Sequence, residues 1–519
     1  MKLIAGALVI LCAAFVGHPS NTAVTVRADG DLQRALNAAV PGDTILLEPG
    51  ATFVGNFYLP RRAGNDSRPI TLRTAPVNGA DAVPDGQRIT PADAQNLAKL
   101  RSPDNMPVLT TEPGARLWTV ALVEFMANRD GAGDIITLGD GSSAQRSLAD
   151  VPSDIVFDRV YVHGDANAGQ KRGVALNSSR TTIRNSYIAD IKAIGQDSQA
   201  IAGWNGPGDY AIENNYLEAA GENMMFGGSD PTIADLTPTH IVIRGNTLSK
   251  PVEWHERDQR WVVKNLFELK NARDVVVERN VFEHNWQGGQ PGYAILFTVR
   301  NQDGRCSWCQ VENVTFALNT VRDVAAGVNI LGTDNNHPSR QTNHIVIANN
   351  VFDRIDNKLW GGNGYFLQIT GTPRDLVVDH NTVIQGSSSG VATIDGRVDG
   401  FVFTNNIAYH GTYGIIGTSH GIGNDTIRAF LPGSIIIANV LAGGKASAYP
   451  PGNFFPSADQ LASQFVDVAA SDFRLKPGSP WIAAATDGRS VGADMAKMPR
   501  APRDTERTPR QRGREGSEK

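Results

Sequence analysis

The feature that most constrains the fold is a short pattern that recurs along most of the chain. Each copy has alternating apolar or β-branched residues, then an asparagine, then a further apolar position, as in IVIRGNTL and VVVERNVF. Copies are separated by on the order of 30 residues, a period typical of solenoid proteins. The aligned asparagines are Asn215, Asn246, Asn280, Asn319, Asn350, Asn381, Asn406 and Asn439. We therefore predict one solenoid coil per repeat.

The alternation within each repeat indicates β-strands, because a period of two sends one set of side chains inward and the other outward. Second strands such as NLFELK, YAILFTV and YFLQITG lie between the asparagine-bearing runs and are bounded by Gly or Asn. We expect two or three strands to close each coil. The 53 Gly and 19% charged residues suit turn-rich β-structure better than a helical bundle. The predicted fold class is an all-β solenoid.

The regular recurrence of the asparagines favours a structural role over a catalytic one. An inward asparagine at a turn can hydrogen-bond to its equivalents in the neighbouring coils and so form a ladder.

The open ends of a solenoid must be covered, because exposed strand edges invite pairing with other chains. The sequence after Asp29 predicts an amphipathic helix with Leu32, Leu36 and Ala39 on one face, placed before the first strand as a lid. Residues 97–125 fit the repeat poorly, so we expect an insertion or irregular early coils there.

The first residues are typical of an export signal, with Lys2 followed by an apolar run from Leu3 to Val16. We predict a signal peptide at 1–20, a single solenoid domain at 24–495 and a disordered charged tail at 496–519. The protein is then secreted, either extracellular or periplasmic. Export leaves Cys306 and Cys309 as the cysteines of the mature protein. We expect them either to form a disulfide that closes a small loop or to remain as two inert thiols.

Charge and hydropathy exclude some partners. The net charge of −5 and a pI near 6.1 argue against a nucleic-acid-binding protein. No later stretch is apolar for long enough to span a bilayer, so we predict no membrane insertion. Nothing in the sequence favours an oligomer, and we expect a monomer.

Several of these features resemble the pectin-lyase-like superfamily. They are PGDTILLEPG after the capping helix, the asparagine ladder, and the closing DFRLKPGSPWIAAATDGRSVGAD, which together span nearly the whole mature chain. The resemblance implies a single-stranded right-handed parallel β-helix with an N-terminal capping helix. That superfamily contains polysaccharide lyases, hydrolases, esterases, epimerases and proteins without known chemistry, so the fold alone does not select an activity.

The residues between 254 and 300 contain the strongest candidates for chemistry. In NLFELK, alternation places Glu268 and Lys270 on the outer face, and Arg300 follows the equivalent strand of the next coil. Elimination from a uronate polymer needs a base, a cation for the developing charge and an acid for the leaving oxygen. We assign Lys270 as the catalytic base and Arg300 as the residue that binds the carboxylate. Glu268 offers oxygen ligands for Ca²⁺.

The same region is similar to the alginate and chondroitin-B lyase group. In that group a lysine on one coil and an arginine on the next serve as base and acid beside a calcium ion. The resemblance implies these roles for Lys270 and Arg300, with Glu268, Glu222 and Asn223 as metal ligands. The Glu268 to Lys270 spacing is shorter than in that group and the loop before Arg300 is longer, so calcium dependence and substrate class stay open.

The predicted partner is a polysaccharide. Trp254, Trp261 and Trp286 could stack on sugar rings, and Asn329 could bind sugar hydroxyls, although core packing explains a tryptophan equally well. Two alternatives remain: a non-catalytic carbohydrate-binding protein that uses the same face, and a glycoside hydrolase that uses loop carboxylates. The hydrolase candidates are Asp197, Asp230, Asp235 and Asp334.

Overall fold

The computed structural model describes residues 21–499. The predicted signal peptide and residues 500–519 of the predicted tail lie outside this range. Three long sheets, built entirely from parallel strands, wind through the described chain. Successive strands of each sheet come from successive turns of the chain, which makes the molecule a right-handed parallel β-helix. The predicted fold class is confirmed.

The three sheets have 14, 12 and 13 strands, here called sheets 1, 2 and 3. Sheet 1 consists of Ala23–Val26, Thr44–Leu47, Ile70–Thr74, Arg116–Ala121, Ser153–Asp158, Ser179–Arg184, Gly208–Glu213, Thr239–Arg244, Ala272–Glu278, Val311–Ala317, Asn343–Ala348, Arg374–Asp379, Val402–Thr404 and Ile435–Ile437. Sheet 2 consists of Phe57–Leu59, Leu109–Thr111, Asp134–Leu138, Arg172–Leu176, Gln199–Gly203, Glu222–Phe226, Asn265–Leu269, Tyr293–Thr298, Ala326–Leu331, Tyr365–Thr370, Gly390–Asp395 and Ile415–Gly417. Sheet 3 consists of Thr52–Val54, Ala98–Arg101, Val123–Phe125, Tyr161–His163, Tyr187–Ile191, Tyr216–Ala219, Thr247–Ser249, Val281–Asn285, Thr320–Val324, Val351–Asp356, Thr382–Ser387, Ile407–Tyr409 and Val440–Ala442.

The remaining elements are short. Phe465–Asp467 and Asp472–Leu475 form a small antiparallel pair. The α-helices are Leu32–Ala38, Glu253–Glu256, Asn357–Trp360, Asn424–Phe430 and Ala458–Gln464, and the 3₁₀ helices are Pro91–Asn96 and Ala446–Ala448.

Register fixes which side chains fill the helix and which face outward. In sheet 2, one row of paired residues on successive coils is apolar and buried in the core, namely Met224, Phe267, Ile295, Val328 and Leu367. The next row points the opposite way, because successive residues of a strand face opposite sides. Its members are Met225, Glu268, Leu296, Asn329 and Gln368.

The asparagine ladder is present at every predicted position. The Asn246 Oδ1 accepts hydrogen bonds from the backbone N of Asn215 at 2.9 Å and from its Nδ2 at 3.0 Å. The same pair of bonds links each asparagine to the next as far as Asn439, where Asn453 supplies the final acceptor. The residue before each ladder asparagine has positive φ, so one tight corner recurs on each of these coils.

The first end of the β-helix is covered by Leu32–Ala38, which buries Leu32 and Leu36 and is capped by the Asp31 side chain. The covering helix is confirmed, but its position in the chain is not. Ala23–Val26 precedes it and pairs with Thr44–Leu47, so the first strand comes before the lid.

Residues 97–125 form regular coils, contrary to the expectation of an insertion. They contribute strands to all three sheets, and their inward residues lie in the core. The irregular segment instead precedes them at 75–97, where Arg88 reaches across to the backbone oxygens of Asn214 and Gly245.

The C-terminal segment, residues 454–498, packs on the outer face of sheet 3. Leu461, Phe465 and Trp481 form an apolar cluster with sheet residues that include Ile384 and Val440. This segment is called the C-terminal cover below.

Two further features concern the whole chain. Cys306 and Cys309 form a disulfide that closes a small loop, which is the first of the two expected states of these cysteines. Within residues 21–499, no helix is long and apolar enough to cross a membrane.

Candidate functional site

An open cleft of about 200 Å³ lies on the outer face of sheet 2. Four consecutive strands of that sheet form its floor, from Asn265–Leu269 to Tyr365–Thr370. The residues that line it are Glu268, Gln290, Pro291, Tyr293, Leu296, Thr298, Arg300, Asn329, Leu331 and Thr370. The cleft therefore contains three predicted site residues, Glu268, Arg300 and Asn329.

Glu268 is buried at one end of the floor and is held by neighbouring side chains. Its carboxylate accepts hydrogen bonds from Thr298 Oγ1 at 2.9 Å and from Asn265 Nδ2 at 3.0 Å. The Nζ of Lys270 lies 3.7 Å from the same carboxylate. These contacts fix the orientation of Glu268 and place a cation beside it.

Lys270 follows the last residue of its strand, and its side chain is 16% exposed. The preceding coil makes room for it with Gly227 and Gly228, both at positive φ. A Cβ on Gly227 would lie 2.8 Å from the Lys270 Cβ, closer than real Cβ contacts allow. Lys270 is thus packed along its stem. It does not itself line the cleft, but its amine lies beside Glu268, which does.

Arg300 lies beside Lys270 on the next coil, because its backbone N donates to the Lys270 carbonyl at 2.9 Å. Its Nη1 contacts Asp334 Oδ1 at 2.6 Å and Asn335 Oδ1 at 3.0 Å. Asp334 has no exposed side-chain area and also accepts from the backbone N of Asn301. One edge of the guanidinium is therefore fixed by protein, and the group is oriented at the cleft.

A row of neutral polar groups continues the floor toward the C-terminus. Gln368 Nε2 donates to Asn329 Oδ1 at 3.1 Å, and the Tyr293 hydroxyl donates to Gln368 Oε1 at 3.3 Å. Burial raises the pKa of Tyr293, so its hydroxyl stays protonated. This row can bind sugar hydroxyls without adding charge.

A polar network extends from the cleft toward the N-terminus. Glu222 accepts from Gln199 Nε2 at 2.9 Å and lies 3.4 Å from the Lys264 Nζ, which also pairs with Asp197. Burial and the nearby negative charge of Glu268 raise the pKa of Glu222. Its carboxylate has no exposed area, so substrate cannot reach it without rearrangement.

Comparison with known proteins supports this architecture. No family model matches the sequence, and no curated protein matches it. Among solved structures, a mannuronic acid specific polysaccharide family 6 lyase from human gut microbiota matches with TM-score 0.51 and 13% identity over 83% of this chain and 91% of that chain. The PL6 family alginate lyase AlyGC matches with TM-score 0.52 and 13% identity over 94% of this chain and 59% of that chain.

The chain has the pectin-lyase-like fold.

In this pectin-lyase-like β-helix, the ligand set predicted for calcium is not assembled. The Oδ1 of Asn223 accepts a hydrogen bond from the Lys250 ammonium, and its Nδ2 donates to two backbone oxygens. The Lys264 ammonium lies beside Glu222, and both Glu268 oxygens already accept hydrogen bonds. Within residues 21–499, no group of three His, Cys, Asp or Glu residues could hold a metal ion. These residues do not fit a calcium site, which requires six to eight oxygen ligands.

The three tryptophans predicted as sugar platforms are buried in the structure. Trp254, Trp261 and Trp286 are only 4–5% exposed and pack together in a small cluster of their own. The Lys192 ammonium lies 5.1 Å from the ring centres of both Trp254 and Trp261. The cluster anchors the loop that carries Lys264 and leaves no ring face open for stacking.

The four hydrolase candidates are not brought together as a catalytic pair. Asp197 pairs with Lys264 and Asp334 with Arg300, while Asp235 is exposed. Asp230 is buried and accepts backbone hydrogen bonds from Gln302, Asp303 and Arg305 in the loop after Arg300. These carboxylates hold cations and loops in place.

The polar cleft residues that sequence reasoning missed are Tyr293, Thr298, Gln290 and Thr370, and it also missed Gln368, which contacts the cleft residue Asn329. Thr298 and Gln368 could have been found from the same alternation, because both lie on the outward side of their strands. Tyr293 could not, because it has the same parity as the inward Ile295 and lines the cleft from the start of its strand. Gln290 lies in a loop, where no periodic signal exists.

Proposed function

We propose that this protein is a polysaccharide lyase that cleaves a uronate-containing glycan by β-elimination. The observation that carries the proposal is the placement of Lys270 and Arg300 side by side on adjacent coils. Arg300 lines the open cleft, and the Lys270 amine lies beside Glu268, which also lines it. The names of the two structural neighbours with TM-scores above 0.5 describe polysaccharide lyases, which favours the same class of reaction.

The proposed reaction uses few groups. Lys270 Nζ accepts the proton on the carbon next to the uronate carboxylate, and the electron pair forms a carbon–carbon double bond. The glycosidic oxygen departs with the electrons of its bond to carbon and takes a proton from solvent. Arg300 binds the carboxylate through the edges of its guanidinium other than Nη1 and stabilises the charge that develops there.

Glu268 has a supporting role in this proposal. Its carboxylate lies 3.7 Å from Lys270 Nζ and is itself held by Thr298 and Asn265. It orients the amine toward the cleft and stabilises the ammonium that forms when Lys270 takes the proton. The Asn329 and Gln368 amides bind hydroxyls of the sugars on either side of the cleaved bond.

The test is the ultraviolet absorbance of the unsaturated uronate product. Purified protein is incubated with alginate, pectate and glycosaminoglycans, with calcium and with chelator. Lys270→Ala is assayed beside Lys445→Ala, an exposed lysine outside the cleft. We expect absorbance on one polymer, lost in Lys270→Ala and retained in Lys445→Ala, with and without chelator.

Other outcomes would favour the alternatives. Tight binding of a polymer without any new absorbance would indicate a carbohydrate-binding protein. Release of new reducing ends without absorbance would indicate a glycoside hydrolase. Either result would overturn the lyase proposal.

We also propose that the protein is secreted. The apolar segment at 1–20 and the Cys306–Cys309 disulfide both suit an oxidising compartment outside the cytoplasm. Expression of the full chain, followed by mass spectrometry of the culture medium and periplasm, should find a protein that starts between about His18 and Val24. An intact N-terminus in the cytoplasm would contradict secretion.

A further inference from the structure

A fully buried lysine lies at the corner between sheets 3 and 2, next to the start of the strand that carries Glu268. Lys250 follows the strand Thr247–Ser249, and its side chain has no exposed area. Its Nζ lies 2.8–2.9 Å from five oxygen atoms. Those oxygens are the backbone carbonyls of Ala219, Ala220, Gly221 and Asn265 and the side-chain Oδ1 of Asn223.

The number of oxygens identifies the kind of interaction. An ammonium has three hydrogens, so five oxygens at hydrogen-bond distance surround it as ligands surround an ion. Carbonyl oxygens arranged around a centre are also how proteins bind dehydrated potassium. Burial lowers the pKa of Lys250 to about 7, whereas five acceptors favour its charged form. The group is thus a cation site filled by the protein's own side chain.

The cage joins two coils at the point where sheet 2 begins on each. Ala219, Ala220 and Gly221 form the corner before the strand that starts at Glu222. Asn265 is the first residue of the next strand, and its side chain donates to Glu268 at 3.0 Å. Lys250 therefore holds the backbone from which Glu268 is oriented.

We propose that Lys250 is a positioning residue, an internal monovalent cation that fixes the strand starts at Glu222 and Asn265 and so the carboxylate beside Lys270. The activity it would affect is the proposed elimination, so this inference rests on the proposed function. The cage itself is tested independently of that activity by thermal unfolding.

The experiment removes the ammonium and offers a replacement. In Lys250→Ala the oxygen cage remains and a channel opens where the side chain was, so potassium or ammonium ions can enter. We expect Lys250→Ala to unfold at lower temperature than the wild type in sodium chloride, and potassium or ammonium chloride at the same ionic strength to restore part of the Tm. We expect kcat to fall about a hundredfold, the loss that a misplacement of about 1 Å can cause, and to recover with the same ions.

Two control variants separate this proposal from a general loss of packing. Lys250→Met fills the channel without a charge, so neither its Tm nor its kcat should respond to potassium. Lys192→Ala removes another buried lysine, whose ammonium contacts Asp190 and two tryptophan rings instead of a carbonyl cage. Its stability should fall without any difference between potassium and sodium.

The outcomes are distinct. If Lys250→Ala responds equally to sodium and potassium, or if Lys250→Met is as active and stable as the wild type, the internal-cation proposal is overturned. If the ion-specific Tm response is found but the wild type eliminates no polymer, the cage is supported and the lyase proposal fails. Ion-specific recovery of both Tm and kcat supports the positioning role.

Discussion

The outer faces of sheets 2 and 3 use buried charge in opposite ways. On sheet 3, the C-terminal cover shields much of the face, and Glu283 accepts from Arg322 Nε at 2.9 Å. On sheet 2, the face is open at the cleft, and buried Glu222 has one oxygen with no hydrogen-bond partner. Glu283 faces outward, opposite to the inward Phe282, whereas Glu222 is buried at the first residue of its strand, so their surroundings differ.

The two carboxylates consequently titrate in opposite directions. Burial acts to raise the pKa of Glu283, but Arg322 and other contacts outweigh it and lower the pKa overall. Burial and the charge of Glu268 raise the pKa of Glu222 despite nearby Lys264. Paired charge on sheet 3 therefore serves stability, whereas the incompletely paired carboxylate of Glu222 lies near Glu268, in the region where chemistry is proposed.

The largest expected effect is on activity and comes from the open face. Lys270→Ala should lower kcat by about 10²–10⁴-fold, the range for loss of a general base, because it removes the amine that accepts the substrate proton. Its Tm should change little. Steady-state elimination kinetics and thermal unfolding measure these two effects. A large loss of Tm with unchanged kcat would instead mean that Lys270 has a structural role.

The next largest effect is on stability and comes from the covered face. Arg322→Met should cost about 3–5 kcal/mol of the free energy of unfolding, because it leaves Glu283 buried without its cation. Denaturant unfolding measures the change. The control is Arg397→Ala, which breaks an exposed pair with Asp399 and should cost about 0–1 kcal/mol. If the two variants lose the same free energy of unfolding, the buried Glu283–Arg322 pair contributes no more to stability than an exposed pair, and the proposed stabilising role of sheet 3 is contradicted.

The pH dependence of stability should differ in sign between the faces. Glu222 has a raised pKa in the folded state, so its ionised form lowers stability at neutral pH, and this cost is relieved as the pH falls. Glu222→Gln should therefore unfold at a higher temperature than the wild type at pH 7, and the two should converge near pH 4. Glu283 has a lowered pKa, so its contribution is lost as acidification protonates it.

That prediction is measured by thermal unfolding between pH 7 and pH 4. The expected shift is smaller than that of Arg322→Met. A lower Tm of Glu222→Gln at pH 7 would mean that Lys264 compensates the buried charge fully.

The smallest expected effect is at the neutral end of the cleft. Gln368→Ala removes hydrogen bonds to Asn329 and Tyr293 on an open face, which typically contribute about 0.5–1.5 kcal/mol each. We expect KM to rise several-fold with little change in kcat, as measured with polymers of defined length. A fall in kcat with unchanged KM would instead place Gln368 at the reacting centre.

Periodic features of this molecule could be predicted from the sequence. The ladder asparagines, the outward positions of Glu268 and Arg300 and the covering helix all follow from regular spacing, which the coil geometry repeats. Because successive residues of a strand face opposite sides, the position of a residue in its strand also predicts whether it faces inward or outward, even when the neighbouring coils are unknown. The fold class and three cleft residues were within reach for this reason.

Features that depend on contacts between distant segments could not be predicted in this way. The burial of Trp286 results in part from packing against a residue far along the chain, Trp360. The Lys250 ammonium blocks the Asn223 oxygen from a calcium ion, a contact between different coils that no local pattern reveals. The C-terminal cover likewise contributes through tertiary contacts, since its own sequence lacks the repeat.

The unequal lengths of the coils show where the chain tolerates insertions and deletions. Successive ladder asparagines are 31, 34, 39, 31, 31, 25 and 33 residues apart, yet each makes the same bonds to its neighbour. Insertions and deletions are therefore absorbed between corners, and each corner returns the backbone to the same starting geometry. A segment cut from one ladder asparagine to the next is a natural unit for duplication, deletion or exchange, by evolution or in the laboratory.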